Sequence, residues 1–220
     1  MGNDLLRDSA NYRAKTNYDE GKAALYQQRK SHKHAAEMKL VDRAFRLIPK
    51  SHSVLDVPCG GGRIFLMLAK QGYRVAGADL SDAMLQYARD NAEKAGLDCP
   101  VEKKDIDQLD YPEKSFDTII CFRLFQHFPT GAIRQRAVNE MCRVARQYVV
   151  ISYFSPYSWT QAKLLLRERL GGKKMLKFPT SLKEVEGYFA RNGYRLVKDF
   201  CRFPLVKTLH LAIFERIPEQ

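Results

Sequence analysis

No hydrophobic run in the chain is long enough to cross a membrane, and no C-x-x-C pair occurs. The opening residues, Met1 to Asp8, hold no apolar stretch of signal-peptide length. Leu6 stands where an N-myristoylation signal needs serine or threonine. The five cysteines (Cys59, Cys99, Cys121, Cys142 and Cys201) are odd in number and widely spaced, which supports neither a disulfide framework nor a zinc site. Reduced thiols in a cytoplasmic protein are expected. No metal cluster is in sight, because His32 and His34, two apart on a helix, point away from each other. Internal repeats, low-complexity tracts and RNP or KH patterns are missing as well. What is left is a globular composition, 45% hydrophobic and 28% charged over 220 residues, sufficient for one domain with a single core.

The charge is one-sided, with a formal net of +12. Between Ser155 and Lys183, seven bases stand against one acid, so half of that excess sits in a short stretch interleaved with Tyr157, Trp159 and Phe178. Such a balance implies an anionic partner: nucleic acid, a phosphorylated substrate or an anionic membrane or glycolipid surface. The last of these would place a cytoplasmic protein peripherally at the inner face of the membrane.

The most informative stretch runs from Val54 to Arg63. Val54-Leu55-Asp56-Val57 reads as a buried strand, Gly60-Gly61-Gly62 as a turn, and Ile64 to Ala69 as a helix packed on a sheet. Glycine lets a backbone adopt positive φ and lie against a ligand, and the free N–H groups of the following helix favour anionic atoms. A dinucleotide fingerprint needs a small residue where Phe65 stands, which speaks against a nicotinamide cofactor. Further strands are expected at 73–79, 101–104, 115–122 and 148–154, and two more near 194–201 and 208–216. Helices are expected within Gly21–Ile48, from Asp82 to a Gly96 stop, from a Thr130 cap to Val144, and from the Ser181-x-x-Glu184 capping box to about Gly193.

The Asp56-to-Gly62 pattern resembles motif I of the class I S-adenosylmethionine-dependent methyltransferases (the type 11/25-like domain). Asp56, Gly60 and Gly62 match it, while Pro58 stands where the family most often has its first glycine. Proline fixes φ and has no N–H, so it cannot do what that glycine does. The resemblance, covering about residues 53–216, implies an α/β fold: a doubly wound, mostly parallel, Rossmann-like sheet of seven strands with an antiparallel last strand. Residues 1–50 would then be a helical lid, and 51–220 the methyltransferase domain. It also implies S-adenosylmethionine as cofactor and S-adenosylhomocysteine as product. Asp56, Pro58, Cys59, Gly60, Gly61 and Gly62 would cradle the cofactor. Asp79 would take the ribose, with Leu80 and Met84 beside it. Asp105 (or Asp107, two residues on) and Ile106 would meet the adenine, and Phe122 would complete the wall.

Arg123-Leu124-Phe125-Gln126-His127 follows the fourth strand, where the family places residues that touch the methyl acceptor. His127 is the candidate general base and Arg123 the candidate anion contact; the alternative for His127 is ordinary packing beside Phe125 and Phe128. Tyr26, Tyr153, Tyr157 and Trp159 could shape the acceptor pocket. The acceptor itself could be a small molecule, a phosphorylated or lipid-linked saccharide, or structured RNA. No Asn-Pro-Pro-Tyr-like motif stands after the fourth strand, which favours the first two. A protein that keeps the fold but serves as an idle, basic interaction partner is the reading outside the enzyme class.

Overall fold

The computed structural model describes residues 31–172, 177–203, 206 and 208–218. Tyr26, Lys173, Lys174 and the first thirty residues of the expected lid lie outside them. In chain order the elements are α1 (Ser31–Phe45), β1 (Ser53–Asp56), α2 (Arg63–Lys70), β2 (Arg74–Asp79), α3 (Asp82–Lys94), β3 (Val101–Lys103) and β4 (Phe116–Cys121). A short 3-10 turn (Phe125–His127) leads to α4 (Gly131–Val144), β5 (Ala145–Phe154), α5 (Trp159–Arg169), α6 (Leu182–Ala190), β6 (Tyr194–Cys201) and β7 (Leu209–Arg216). The helix starts follow from hydroxyl caps. Ser81 accepts the Met84 N–H at 3.3 Å, Thr130 that of Ile133 at 3.4 Å, and Ser181 that of Glu184 at 3.2 Å. Glu184 does not complete its capping box, because its carboxylate is engaged by Arg134 and Tyr188. Residues 155–180, where no helix was expected, contain α5. Its signal was the spacing Ser158-x-x-Gln161, and the Ser158 hydroxyl indeed accepts the Gln161 N–H at 3.1 Å.

The seven strands run in the order β3-β2-β1-β4-β5-β7-β6. Strands β1 to β5 are parallel, and β7 is antiparallel to both β5 and β6, as the expected fold requires. The order reverses between β1 and β4, so a crevice opens at their carboxyl ends. Alternation along the strands splits the core in two. Leu55, Ile119, Cys121, Val149, Ile151 and Phe214 meet α4 and α6 on one face. Val54, Ile120, Val150, Leu211 and Ile213 meet α1, α2 and α3 on the other. Helix α1 contributes Leu40, Val41, Ala44 and Phe45 to that second layer and so shares the core of the sheet.

At the opposite, amino-terminal end of the strands, Asp117 ties β4 to its neighbours. It accepts the Ser53 N–H at 2.9 Å, the Ser53 hydroxyl at 2.8 Å and an Arg146 contact. Burial pushes the carboxyl upward, but the Ser53 donors and the Arg146 guanidinium outweigh it and hold it below its ordinary value. A carboxylate lowered in the folded state stabilises fully above the unfolded pKa and loses that contribution as pH falls through the folded value. Asp117→Ala is therefore expected to cost about 1–2 kcal/mol at neutral pH. Urea unfolding at pH 7 and pH 3 checks this, and the gap between variant and wild type should narrow in acid.

Candidate functional site

The glycine turn is assembled from backbone hydrogen bonds and two buried carboxylates. Cys59 N–H donates to Ala78 O at 2.8 Å, which stitches the turn to β2, and Gly62 N–H returns to Cys59 O at 3.0 Å. Gly60 and Gly62 have φ of +52° and +87°, in the left-handed region that glycine enters without strain. A Cβ placed on Gly60 would meet nothing within 4 Å, so the turn opens onto free space there. A Cβ on Gly62 would come within 2.7 Å of the Phe65 ring. That ring fills the room a dinucleotide fingerprint reserves, consistent with the expectation against a nicotinamide cofactor. Pro58 follows a cis peptide and is half-buried.

Asp79, at the tip of β2, binds the turn directly. Its carboxylate accepts the Gly60 N–H at 2.9 Å and the Ser81 N–H at 3.0 Å. Burial raises its pKa, and the N–H groups of Ser81, Gly60 and Leu80 work against that rise. Asp56 is 1% exposed; one carboxylate oxygen accepts the Phe65 N–H at 3.2 Å, and the other has no hydrogen-bond partner among the described residues. Its pKa is raised well above the ordinary value, first by burial, against the Phe65 N–H and the charge of Arg63. Cys59 and Cys121 are buried, and burial pushes both thiols far up, so neither is a nucleophile.

The other expected contacts divide. Met84 is buried in the first turn of α3, and Leu80 is half-buried beside Asp79. Gly61 O accepts the Asn91 side-chain amide at 2.9 Å, which anchors the turn to α3. Asp105 closes a small turn by accepting the Asp107 N–H at 3.1 Å, and Asp107 pairs with Arg136 at 3.8 Å. Ile106 packs into the α4 face of the core. Phe122 is 5% exposed, with the Arg63 guanidinium 5.8 Å above its ring.

At the tip of β4 the backbone itself is unusual. Arg123 has φ of +67°, a conformation that costs a side-chain-bearing residue about 1 kcal/mol or more. It is held there by its N–H on the Ser152 hydroxyl at 2.6 Å and by the Gln126 amide on its carbonyl. Gln126 is fully buried, and its side-chain oxygen has no hydrogen-bond partner among the described residues. The Arg123 guanidinium reaches two groups: Phe154, 5.2 Å from the ring centroid, and Glu37, at 3.7 Å. Glu37 also takes Arg63 at 3.1 Å, so two guanidiniums share one buried carboxylate. No motif pointed to Glu37, because α1 carries only a loose apolar periodicity. Lys177 lies 4.9 Å from the Phe154 centroid, and Phe178 N–H donates to Gln126 O at 2.9 Å, which brings the segment after α5 over the same strand end. His127 is half-buried at the end of the 3-10 turn, its N–H on Leu124 O at 2.8 Å. Tyr153 is buried against the α6 face and donates to Asp199 at 3.1 Å. Tyr157 and Trp159, expected at a pocket wall, face outward, 70% and 63% exposed.

Comparison with known proteins fits this geometry. Residues 54–148 match the family model described as a methyltransferase domain. A ubiquinone biosynthesis O-methyltransferase of Coxiella burnetii is 39% identical over 80 residues, 36% of this chain and 34% of that protein. A phosphatidylethanolamine N-methyltransferase of Cereibacter sphaeroides is 32% identical over 121 residues, 49% of this chain and 58% of that one. The chain thus spans about a third to somewhat over half of these curated relatives. Among solved structures, the magnesium protoporphyrin IX methyltransferase of Synechocystis with bound SAH superposes with a TM-score of 0.75. It is 17% identical, with 97% of this chain and 99% of that chain covered. Residues 54–148 are thus similar to a methyltransferase domain, and the seven-stranded sheet in which they lie has the fold of that SAH-bound methyltransferase.

Proposed function

We propose that the protein is a methyltransferase that uses S-adenosylmethionine and acts on an oxygen or nitrogen of an anionic small-molecule or lipid-linked acceptor. One observation carries the cofactor half. The turn after β1 is open above Gly60, and its N–H is fixed by the acid at the tip of β2. The cofactor fits these residues: Asp79 keeps lone pairs for ribose hydroxyls, and the unpartnered oxygen of Asp56 is a buried acceptor within the same turn. S-adenosylmethionine supplies a methyl group already activated on its sulfonium. The protein's work is then to hold an acceptor in line and to take its proton, and positioning alone is worth up to roughly 7–11 kcal/mol.

The acceptor half rests on the β4 tip. Arg63 and Arg123 share a single carboxylate, so the site keeps positive charge where an acceptor's anionic group would sit. The strained backbone at Arg123 supports a functional rather than a structural role for its side chain. His127 is the proposed base, at the end of the same turn. The O- and N-methyltransferase relatives act, by their names, in ubiquinone biosynthesis and on phosphatidylethanolamine. This fits an acceptor with an apolar body and a charged or ionisable head. The relatives match over only 80 and 121 residues, so the acceptor is inferred from this chain's own residues.

Three outcomes follow. Asp79→Ala should lower S-adenosylmethionine affinity in calorimetric titration by tenfold or more, consistent with about 1.5–3 kcal/mol for charge-assisted bonds. Unchanged affinity would remove Asp79 from the ribose site. Arg123→Ala and Arg123→Gly should both raise KM for the acceptor while cofactor affinity stays within twofold. Of the two, the glycine variant should be the more stable in urea by about 1 kcal/mol, because it relieves the positive φ. His127→Gln should lower kcat by roughly 10²–10⁴ and abolish the acidic limb of the pH profile. A surviving limb would assign the proton to another group.

A further inference from the structure

Helix α5 is built inside out. Thr160, Leu164 and Glu168 fall along one face with Gln161 beside them, and these are its half-buried residues. Trp159, Leu165 and Leu166 are exposed at 63%, 50% and 59%, and Leu170, which closes the helix, at 78%. A surface helix ordinarily turns its apolar stripe to the core and its polar face to water. Here Trp159, Leu166 and Leu170 make an outward stripe, with spacings of seven and four residues.

The stripe has apolar neighbours. The β6–β7 connection runs beside the start of the helix, where Val206 O accepts the Thr160 hydroxyl at 2.6 Å. Phe203 and Val206 on that connection are 49% and 46% exposed, and Tyr157 precedes the helix. Of the ten large apolar side chains exposed among the described residues, seven belong to this region. Clustering on that scale marks a face made to be covered. The bases are in the same place: Lys163, Arg167 and Arg169 are exposed, Glu168 is the only acid of the helix, and Lys163 lies 5.5 Å from the Trp159 ring centroid.

We infer that this face docks on an anionic lipid bilayer. Trp159, Leu166 and Leu170 enter the interface, and Lys163, Arg167 and Arg169 meet the phosphates of the head groups. The charge selects an anionic partner, and the apolar stripe selects among anionic partners. Nucleic acid would satisfy the bases and leave the leucines in water, whereas a bilayer interface takes both, with tryptophan at head-group depth. Among the described residues no helix is long and apolar enough to cross a membrane, so the contact is one of lying on the surface. This inference stands whatever the acceptor is.

Trp159 is the single tryptophan of the chain, so its emission reports on this face alone. The full-length protein is mixed with vesicles of phosphatidylcholine, or of phosphatidylcholine and phosphatidylglycerol in equal parts. Co-sedimentation with the anionic vesicles and a blue shift of emission are expected, with much less of both on phosphatidylcholine alone. The Leu166→Glu/Leu170→Glu variant should bind roughly tenfold more weakly per leucine. Its urea midpoint should match wild type, since both side chains are exposed. Replacing Lys163, Arg167 and Arg169 with Gln should remove the preference for anionic vesicles. Three results would overturn the inference. One is the absence of vesicle binding, including the case where transfer RNA binds instead. Another is binding unchanged in the leucine variant. The third is an emission shift that follows protein concentration without lipid, which would make the face a contact between copies.

Discussion

The site depends on how closely α2 can lie against the sheet, and that distance is set by the Phe65 ring. The ring occupies space that two glycines leave vacant: a Cβ on Gly62 would reach it at 2.7 Å, and one on Gly77, in the middle of β2, at 3.1 Å. Gly77 would also collide with Val101 at 2.8 Å, so β2 and β3 close up over the same gap. With the ring seated, the Phe65 N–H points at Asp56 and the first turn of α2 is held over the end of β1. Interiors packed this densely transmit a change of one methyl group, so the turn, the buried acid and the helix axis move together or not at all. A glycine inside a strand weakens that strand on its own account. Here it makes room for a phenyl ring directly beneath the glycine turn.

The two halves of the crevice are built on different physics. Around Gly60 the groups are backbone amides and short carboxylates, most of them buried, whose positions are fixed once the strands and α2 are in place. Around Arg123 the groups are long side chains from four separate parts of the chain: Glu37 on α1, Arg63 on α2, Arg123 after β4 and Lys177 after α5. Removing two guanidiniums and a carboxylate from water is costly unless each finds a partner, and Glu37 serves both arginines. The cost is lessened because Arg63 and Arg123 keep 25% and 22% of their side-chain surface in solvent. The Gly60 side is thus fixed by the backbone, while the Arg123 side is held by charge pairs between long side chains.

That division explains what could be read from the residues alone. The strand positions, the turn at Gly60 to Gly62 and the acid at Asp79 follow from short-range patterns and appear within about three residues of their expected places, whereas the sheet type came from the family resemblance alone. Gly77 was visible as a glycine inside a strand, but its purpose requires knowing that Phe65 lies over it. Glu37 was not legible, since its partners are 26 and 86 positions away in sequence. The pull of desolvation against hydrogen bonding at Asp79 also emerges only when Gly60, Leu80 and Ser81 are seen to converge on it. Helix α5 was missed for the opposite reason. Its cap was present in Ser158-x-x-Gln161, but the run Leu164-Leu165-Leu166 spreads apolar residues around the helix and blurs the period that finds one.

The helix that escaped the pattern and the loop that carries Arg123 are joined through β5. Phe154, the last residue of that strand, lies against Arg123 and Lys177 and accepts the Thr180 N–H through its carbonyl at 2.8 Å. Ser155 N–H then binds Thr208 O at 2.8 Å, and four residues beyond Ser155 the helix begins. The segment leading into α5 is therefore tied to the start of the neighbouring strand β7 and, through Phe154, to the ring that packs on Arg123. Arg123 has its backbone tied to β5 and its side chain on the carboxylate shared with α2. The segment after α5 reaches the same strand end by its own bonds, Phe178 N–H on Gln126 O and Thr180 N–H on Phe154 O, so β4, β5 and that segment converge around Arg123. Its positive φ goes with that arrangement, which keeps the N–H on Ser152 while the guanidinium packs on Phe154 and reaches Glu37.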